Sequence, residues 1–407
     1  MPSQLDISSI RSRFPALSRT ERGLTAAYLD GPGGTQVPQA VIEAMTDPLR
    51  AGVSNLGGGY GPSDDAIRIT MGARQAMADL FNARPSEISF GQNMTSLTFA
   101  ISRALGRTWT RDDSIVVTAL DHDANFTPWV IAAGEAGAEV RVAEFDTETG
   151  RLDPEAVIEL VDETTRLVAV CLASNALGTV VDIAPISAAA HDAGASVYVD
   201  AVHAGPHLLI DVLGSDCDFL AASAYKFFGP HTGILFGKTE HMASLEAYKV
   251  RPAPSDPPGK WETGTQSFES LAGVTAAVDH IKSLGDGEGR DAVQSAFAAI
   301  SAYESELGRR FVEGIGEMAH VRLHGVPEMS EHRVTTFAVS VAGMHPDRVR
   351  ERMIERALYV WSGHYYAVNV MDRLGVLDSG GLVRIGFCHY NTVGEVDRVL
   401  EVLSALA

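Results

Sequence analysis

Two short apolar segments that each lead to a charged side chain constrain the fold of this chain more than any other feature. Residues 197–199 are apolar and are followed by Asp200, and residues 219–222 are apolar and are followed four residues later by Lys226. Runs of this kind predict buried strands. Open parallel sheets bind their ligands at the carboxyl ends of the strands, so the acid and the lysine can meet at one small molecule. We therefore predict an α/β fold with a ligand site at this edge of the sheet.

A lysine beside a buried strand end has unusual chemistry. Burial disfavours the ammonium form, lowers the pKa and makes the neutral amine of Lys226 a nucleophile, as Schiff-base formation with an aldehyde requires. A carboxylate such as Asp200 suits a pyridinium nitrogen, which it keeps protonated. Both features indicate pyridoxal phosphate as the cofactor. The alternative is that the two side chains simply pair at the sheet edge, and their spacing alone does not decide between these interpretations.

Three further interpretations of the sequence are disfavoured. The glycines of residues 56–61 lack the preceding strand that a dinucleotide-binding motif requires, and residues 233–239 are one residue too short for a P-loop. Asp200, His203 and His207 could form a metal set, but a Gly-Pro pair breaks any helix that would place both histidines on one face. We therefore expect no metal site.

Composition excludes several classes of partner. The formal net charge is −20, and the sequence contains no cluster of lysines or arginines. Both features argue against nucleic acid or an anionic membrane as partner. No apolar window reaches the length of a membrane span. Only three cysteines occur, without a CxxC spacing, so we expect a reduced, cytoplasmic compartment.

The motifs around the two strand ends resemble those of a known family. The sequence D-A-V-H at residues 200–203 and the sequence S-A-Y-K at residues 223–226 are similar to the cofactor motifs of fold-type I pyridoxal-phosphate enzymes, specifically of the class V aminotransferase superfamily and its cysteine desulfurase-like branch. The resemblance extends from about Tyr28 to the C-terminus. It implies a PLP-dependent transferase or lyase that acts on a small amino acid.

The resemblance also implies an architecture. We expect an N-terminal helical segment (1–27) packed against the small domain, a large cofactor-binding domain (28–285) with a mostly parallel seven-stranded sheet flanked by helices, and a smaller C-terminal α/β domain (286–407). Predicted strands and helices alternate along the chain, among them a helix over residues 151–163 and a strand over residues 333–341.

The same resemblance assigns cofactor contacts. Residues 93–96 open a predicted helix whose N-terminal amides would hold the phosphate, although a plain helix cap has the same sequence. The family has a histidine stacked on the pyridine ring, which His122 matches, and Asn175 lies in a matching S-N-x-x-G-T loop. His203 replaces the usual glutamine at the phenolic oxygen. The residues predicted to bind the cofactor are Met94, Thr95, His122, Asn175, Asp200, His203, Ser223, Tyr225 and Lys226; His122, Asp200 and Lys226 are also predicted to be catalytic.

Substrate contacts are predicted in the same way. Arg384 matches the arginine that takes the substrate carboxylate in two parallel hydrogen bonds, with a structural salt bridge as the alternative. The loop at Gly34 and the side chain of Asn175 would lie near that carboxylate. In relatives a loop like residues 251–264 reaches the partner subunit, which implies a homodimer with active sites near the interface.

One motif departs from the family. Residues 363–367 are G-H-Y-Y-A, where cysteine desulfurases carry a stretch such as G-H-H-C-A. Tyr366 therefore occupies the position of the cysteine. A tyrosine cannot carry a persulfide. We therefore predict β-elimination, such as carbon–sulfur cleavage, with Tyr366 contacting the substrate and protonating the leaving group. An aminotransferase or epimerase of the same fold is the alternative, and a non-catalytic PLP-binding scaffold is a further one.

Overall fold

The computed structural model describes residues 5–407 and confirms the α/β fold. Apolar runs of four to seven residues form a seven-stranded sheet in the first two thirds of the chain. In chain order its strands are β1 (Ile88–Gly91), β2 (Ser114–Thr118), β3 (Glu139–Ala143), β4 (Thr165–Cys171), β5 (Ser196–Asp200), β6 (Phe219–Ser223) and β7 (Gly233–Gly237). Their spatial order is β1-β7-β6-β5-β4-β2-β3. All neighbours are parallel except β7, which is antiparallel to both β1 and β6.

Helices cover both faces of this sheet and continue to the C-terminus. They are α1 (Ile7–Ser12), α2 (Gln39–Ala51), α3 (Gly61–Phe81), α4 (Met94–Gly106), α5 (Thr127–Ala136), α6 (Pro154–Ile158), α7 (Ala184–Asp192), α8 (Val212–Ser215), α9 (Thr239–Ser244), α10 (Phe268–Lys282), α11 (Gly289–Gly316), α12 (Pro346–Glu355), α13 (Val368–Arg373) and α14 (Val393–Ser404). Within the described residues no helix is both long and apolar enough to cross a bilayer.

Alternate residues of each central strand enter two separate cores. On β5, Val197 and Val199 face one core and Tyr198 faces the other, and β6 divides its residues in the same way. This is the pattern of a sheet buried on both sides, and it explains why these strands are continuous apolar runs in the sequence. Polar side chains are therefore displaced to the strand ends, where the cores stop.

A second sheet lies in the C-terminal third. Its four antiparallel strands are β8 (Val321–His324), β9 (Thr336–Val341), β10 (Trp361–Gly363) and β11 (Leu382–Gly386), in the order β8-β9-β11-β10. Residues from α11, α12 and α14 pack with these strands into a third core. The N-terminal part of the chain contributes to this region as well, because Ala27–Tyr28 pairs in parallel with Leu358–Tyr359.

The N-terminal segment contacts both parts of the molecule. The ring of Phe14 packs against Phe228 and His280 on one side and against Tyr390 on the other. Arg11 forms an ion pair with Glu395 of α14 at 2.9 Å. The segment therefore bridges the two sheets, and the domain boundaries given above stay predictions.

Two predicted elements are shorter in the structure. The helix expected over residues 151–163 is limited to Pro154–Ile158, because Asp153 caps its start and Asp162 draws the chain into a turn by accepting from the amide of Thr164 at 2.9 Å. The strand expected from residue 333 begins at Thr336. The side chain of Arg333 instead donates to the carbonyl of Leu177 at 2.9 Å. This hydrogen bond ties the segment before β9 to the part of the chain that forms the seven-stranded sheet.

Candidate active site

A cavity of about 830 Å³ opens where the strands of the large sheet end and the second sheet approaches them. In the ladder Cys171 lies opposite Asp200, which in turn lies opposite Ala221, so the ends of β4, β5 and β6 are aligned. Eleven of the twelve predicted site residues line this cavity: Met94, Thr95, His122, Asn175, Asp200, His203, Ser223, Tyr225, Lys226, Tyr366 and Arg384.

Lys226 and Asp200 have perturbed titration behaviour. Burial is the main cause that lowers the pKa of Lys226 to about 7, and the positive charge of Arg384 adds to it. Burial also raises the pKa of Asp200 to about 6, against the opposing effects of the Val202 amide, which donates to it at 2.8 Å, and of Lys226. The lysine amine donates to the carbonyl oxygen of Pro32. At neutral pH a substantial fraction of the Lys226 amine is therefore neutral and nucleophilic.

The start of α4 forms one wall. Asn93 caps the helix by accepting from the amide of Ser96 at 2.9 Å, which leaves the first residues, Met94 and Thr95, at the cavity. A 13-residue helix directs its positive dipole end and its unpaired amides to this point. Gly233 of β7 packs directly beneath, since a Cβ there would lie 2.3 Å from the carbonyl carbon of Asn93.

His122 is held as a neutral ring. Its Nδ1 accepts from the amide of Ala124 at 3.0 Å, which leaves Nε2 as the protonated nitrogen. Burial and the positive charges of Lys226 and Arg384 lower its pKa to about 4. The ring lies 5.5 Å from that of Tyr366, with 23° between their planes, so the two rings stack.

Arg384 enters the cavity from β11. One guanidinium nitrogen donates to the carbonyl oxygen of Asn175 at 2.9 Å, and the guanidinium lies 4.5 Å from the centre of the Tyr365 ring. Burial lowers the pKa of Arg384 to about 10, and its Nε is buried without a partner. No carboxylate among residues 5–407 forms an ion pair with it. The structural salt bridge considered for this arginine is thus not seen, and its fork is available to an anion.

Three other predicted residues have contacts within the chain or lie beside the cavity. His203 uses Nε2 in a hydrogen bond with Thr336 of 3.0 Å. Tyr225 stacks its ring on His231, at 4.7 Å between ring centres, and also lies beneath Lys226. Gly34 lines a neighbouring cavity, whereas Gly33 faces Arg384, whose guanidinium would lie 3.6 Å from a Cβ at that glycine.

Several residues of the site were not anticipated from the sequence. Trp361 is the ladder partner of Arg384, and Tyr365 supports the same guanidinium from below. Asp30 is half-buried, with one carboxylate oxygen buried and unpaired, and desolvation raises its pKa despite the opposing charges of Arg384 and Lys226. The adjacent G-H-Y-Y-A stretch was the only available signal for any of these.

The cysteines of the chain are all buried and free of disulfides. Cys171 lines the cavity, but burial together with the charges of Asp121 and Asp200 raises its pKa well above the ordinary value. Its thiol is therefore protonated at neutral pH, which makes it a poor nucleophile.

The residues present fit pyridoxal phosphate. The N-terminus of α4 supplies amides for a phosphate, Asp200 supplies a buried carboxylate, and Lys226 supplies an amine. The amide oxygen of Asn175 and the Nε of Arg384 are buried without partners, so both have hydrogen-bonding capacity for a ligand. The cofactor and an amino acid together would satisfy these groups.

Comparisons with known proteins agree with this geometry. The sequence model described as aminotransferase class-V matches residues 27–399. An uncharacterized protein of Mycobacterium tuberculosis is 30% identical over 98% of this chain and 99% of its own length. A cysteine desulfurase of Dickeya dadantii is 31% identical over 98% of this chain and 96% of its own.

Among solved structures, the apo cysteine desulfurase from Thermococcus onnurineus superposes with a TM-score of 0.90 at 26% identity, covering 100% of this chain and 99% of that protein. The match of the family over most of the sequence and the near-complete structural overlap point to one conclusion. The chain belongs to the class V aminotransferase family, with fold-type I architecture, and is a pyridoxal-phosphate-dependent enzyme.

Proposed function

We propose that this enzyme removes a sulfur-linked substituent from the β-carbon of a small L-amino acid, releasing a thiol. The observation that carries the proposal is the convergence of Lys226, Asp200 and Arg384 in one cavity, with the hydroxyl-bearing ring of Tyr366 over the same space. A proton acceptor, a carboxylate-binding group and a proton donor are the three groups that such an elimination requires.

Arg384 holds the substrate by its α-carboxylate. Its unpaired Nε and a terminal nitrogen form a planar fork, while the bond to Asn175 and the ring of Tyr365 fix the orientation of that fork. The partner-free amide oxygen of Asn175 lies at the same end of the site. Binding at this point sets the α-carbon between the large sheet and the loop of Tyr366.

The chemistry is divided between the cofactor and the chain. When bound, pyridoxal phosphate withdraws electrons from the substrate α-carbon. Asp200 would pair with the protonated ring nitrogen of the cofactor, and His122, a neutral imidazole, would pack against the cofactor. Lys226, whose pKa is lowered to about 7, takes the α-proton. The carbon–sulfur bond breaks with its electron pair going to sulfur, and Tyr366 donates a proton to that sulfur. Water then hydrolyses the remaining three-carbon fragment to pyruvate and ammonia.

The test combines an absorption spectrum with product analysis. Purified enzyme should show the visible band of bound cofactor, and Lys226→Ala should lose that band, whereas Lys260→Ala, a lysine outside the cavity, should keep it. The wild type should release pyruvate and ammonia in equal amounts, together with one equivalent of hydrogen sulfide from L-cysteine or of thiol from an S-alkyl cysteine. Accumulation of pyridoxamine phosphate would instead indicate transamination, and inversion of the α-carbon would indicate an epimerase. A band that no amino acid perturbs would indicate a non-catalytic scaffold.

The role of Tyr366 has its own test. Tyr366→Phe keeps the ring stacked on His122 and removes only the hydroxyl, so turnover of a substrate with a poor leaving group should fall by about 10²-fold, as expected for loss of a general acid. An activated substrate, such as an S-nitrophenyl cysteine, should be nearly unaffected. Equal loss for both substrates would show that the hydroxyl does not protonate the leaving group.

We also propose that two chains form a homodimer, in the cytoplasm. Apolar side chains on α2 and α3 are exposed, among them Ile42, Leu49 and Met71. Ile42 and Leu49 line the second cavity, which shares Gly33 and Tyr225 with the first. This surface would place the interface beside the active site. Light scattering should give a dimer, and Leu49→Asp should give a monomer; a monomeric wild type would contradict the proposal.

A further inference from the structure

One charged group at the mouth of the cavity has no role in the mechanism above. Asp123 lines the cavity, half-buried, and both oxygens of its carboxylate lie 3.0 Å from the hydroxyl of Thr127. That hydroxyl can donate to only one oxygen at a time. Among residues 5–407 no lysine or arginine pairs with Asp123. The only other acid in the lining is Asp200, which is deep in the cavity beside Lys226.

Aromatic side chains line the same cavity as this carboxylate. The main-chain carbonyl of Tyr366 accepts from the amide of Asp123 at 2.7 Å, which joins the two segments at the mouth. The Tyr366 ring is 66% exposed, and Trp361 and Phe99 line the same opening. A cavity lined by a carboxylate and by aromatic rings favours a cation, by charge and by the negative potential of the rings.

The backbone holds this arrangement in an unusual conformation. Tyr365 and Tyr366 both have left-handed φ angles, of 53° and 59°, which two successive residues with side chains rarely adopt. As a result Tyr365 is buried beneath Arg384 while Tyr366 is directed over His122 beside Asp123. This segment, the tyrosine wall, thus contacts Arg384 through the ring of Tyr365 and Asp123 through the main-chain carbonyl of Tyr366.

From this juxtaposition we propose that the substrate carries a positive charge on its side chain, and that Asp123 and the ring of Tyr366 bind this charge. The inference rests on the proposed function, because it takes Arg384 as the site of the α-carboxylate. A substrate held by that arginine extends along the tyrosine wall and brings its distal end to Asp123. The alternative is that Asp123 only closes its turn through Thr127, a role that asparagine would fill equally well.

Three cysteine conjugates of similar length separate the two interpretations: S-(2-aminoethyl)-L-cysteine, S-propyl-L-cysteine and S-(2-carboxyethyl)-L-cysteine. A half-exposed ion pair assisted by an aromatic ring should favour the aminoethyl compound. We expect the holoenzyme to cleave it with a kcat/KM roughly tenfold above that of the propyl compound, and to cleave the carboxyethyl compound with the lowest kcat/KM of the three. In Asp123→Asn the ratio of aminoethyl to propyl should fall to about one. Asp123→Lys should make the carboxyethyl compound the best of the three.

Two controls complete the experiment. Asp112→Asn removes an exposed acid outside the cavity and should keep the tenfold ratio. Tyr366→Leu removes the ring and should reduce the ratio roughly threefold. Equal kcat/KM values for the aminoethyl and propyl compounds in the wild type would overturn the inference, as would a preference that survives in Asp123→Asn.

Failure of the proposed function is distinguishable. If none of the three compounds is cleaved, elimination is wrong, but their dissociation constants can still be measured by calorimetry on the holoenzyme. The aminoethyl compound should then bind roughly tenfold more tightly than the propyl compound in the wild type and equally in Asp123→Asn. Equal binding in the wild type would overturn the inference in this case as well.

Discussion

Lys226 should make the cofactor-free protein less stable, and this cost should depend on pH. Burial lowers the pKa of its amine from the ordinary 10.5 to about 7. At 1.36 kcal/mol per pH unit, a difference of this size corresponds to about 5 kcal/mol of unfavourable free energy for the charged form. Relaxation of the cavity and entry of water reduce this value, so we expect about 2–4 kcal/mol at pH 7. Lys226→Met, which keeps the length of the side chain without its charge, should stabilise the apoprotein by that amount.

The direction in which stability changes with pH follows from the number of protons that the folded and unfolded chains bind. Below about pH 7 the lysine is protonated in both the folded and the unfolded chain, so the full cost is present. Between pH 7 and 10.5 the unfolded chain binds more protons, so the stability of the wild type rises with pH. The advantage of Lys226→Met should therefore be largest near pH 6 and shrink towards pH 10.

Urea unfolding of apoprotein, followed by tryptophan fluorescence between pH 6 and 10, measures this difference. Lys260→Met, at a position outside the cavity, is the control; because Lys260 donates to the carbonyl of Ala243 at 2.7 Å, this change should cost about 1 kcal/mol of stability, and a similar amount at every pH. If Lys226→Met were less stable than the wild type, or if the gap were the same at pH 6 and pH 10, the account of a desolvated amine would be refuted.

Two further predictions concern the second sheet and the wall of α4. Arg384→Lys keeps a positive charge but loses the planar fork and the contact with Tyr365. The kcat/KM for an amino acid should therefore fall by about 10²-fold, mainly through a higher KM. Steady-state kinetics would measure this, and an unchanged KM would argue against binding of the substrate carboxylate by Arg384. Gly233→Ala places a Cβ 2.3 Å from the carbonyl carbon of Asn93. This clash should lower the free energy of unfolding by about 2–3 kcal/mol and the melting temperature by several degrees. An unchanged melting temperature would show that β7 and α4 can separate.

The sheet and its edge could be predicted because they depend on periodicity. Strands buried on both faces are continuous apolar runs, and the residue that ends each run must lie at the sheet edge, so the positions of Asp200 and Lys226 followed from the sequence. The predicted helix over residues 151–163 was too long, because the Asp162 carboxylate accepts a local hydrogen bond from the amide of Thr164. This bond competes with the helix, and hydrophobic periodicity does not reveal it.

The second sheet's contribution to the site could not be derived in this way. Trp361 and Arg384 become neighbours only through strand register, which no local pattern in the chain specifies. The opposite directions of Tyr365 and Tyr366 depend on two left-handed backbone conformations at residues with side chains, and the sequence carries no glycine to signal them. Asp123 is adjacent to His122, but no local pattern indicates that the main chain of Tyr366 lies beside it.

The pairing of Trp361 with Arg384 on a sheet separate from the one that carries Lys226 and Asp200 has an evolutionary consequence. Mutations in β10 and β11 can alter which molecule is held without moving Lys226 or Asp200, which lie on the other sheet. Selection can then act on the two sheets independently. A lineage with this architecture can acquire new substrates by drift in one small region while its ancestral chemistry is preserved.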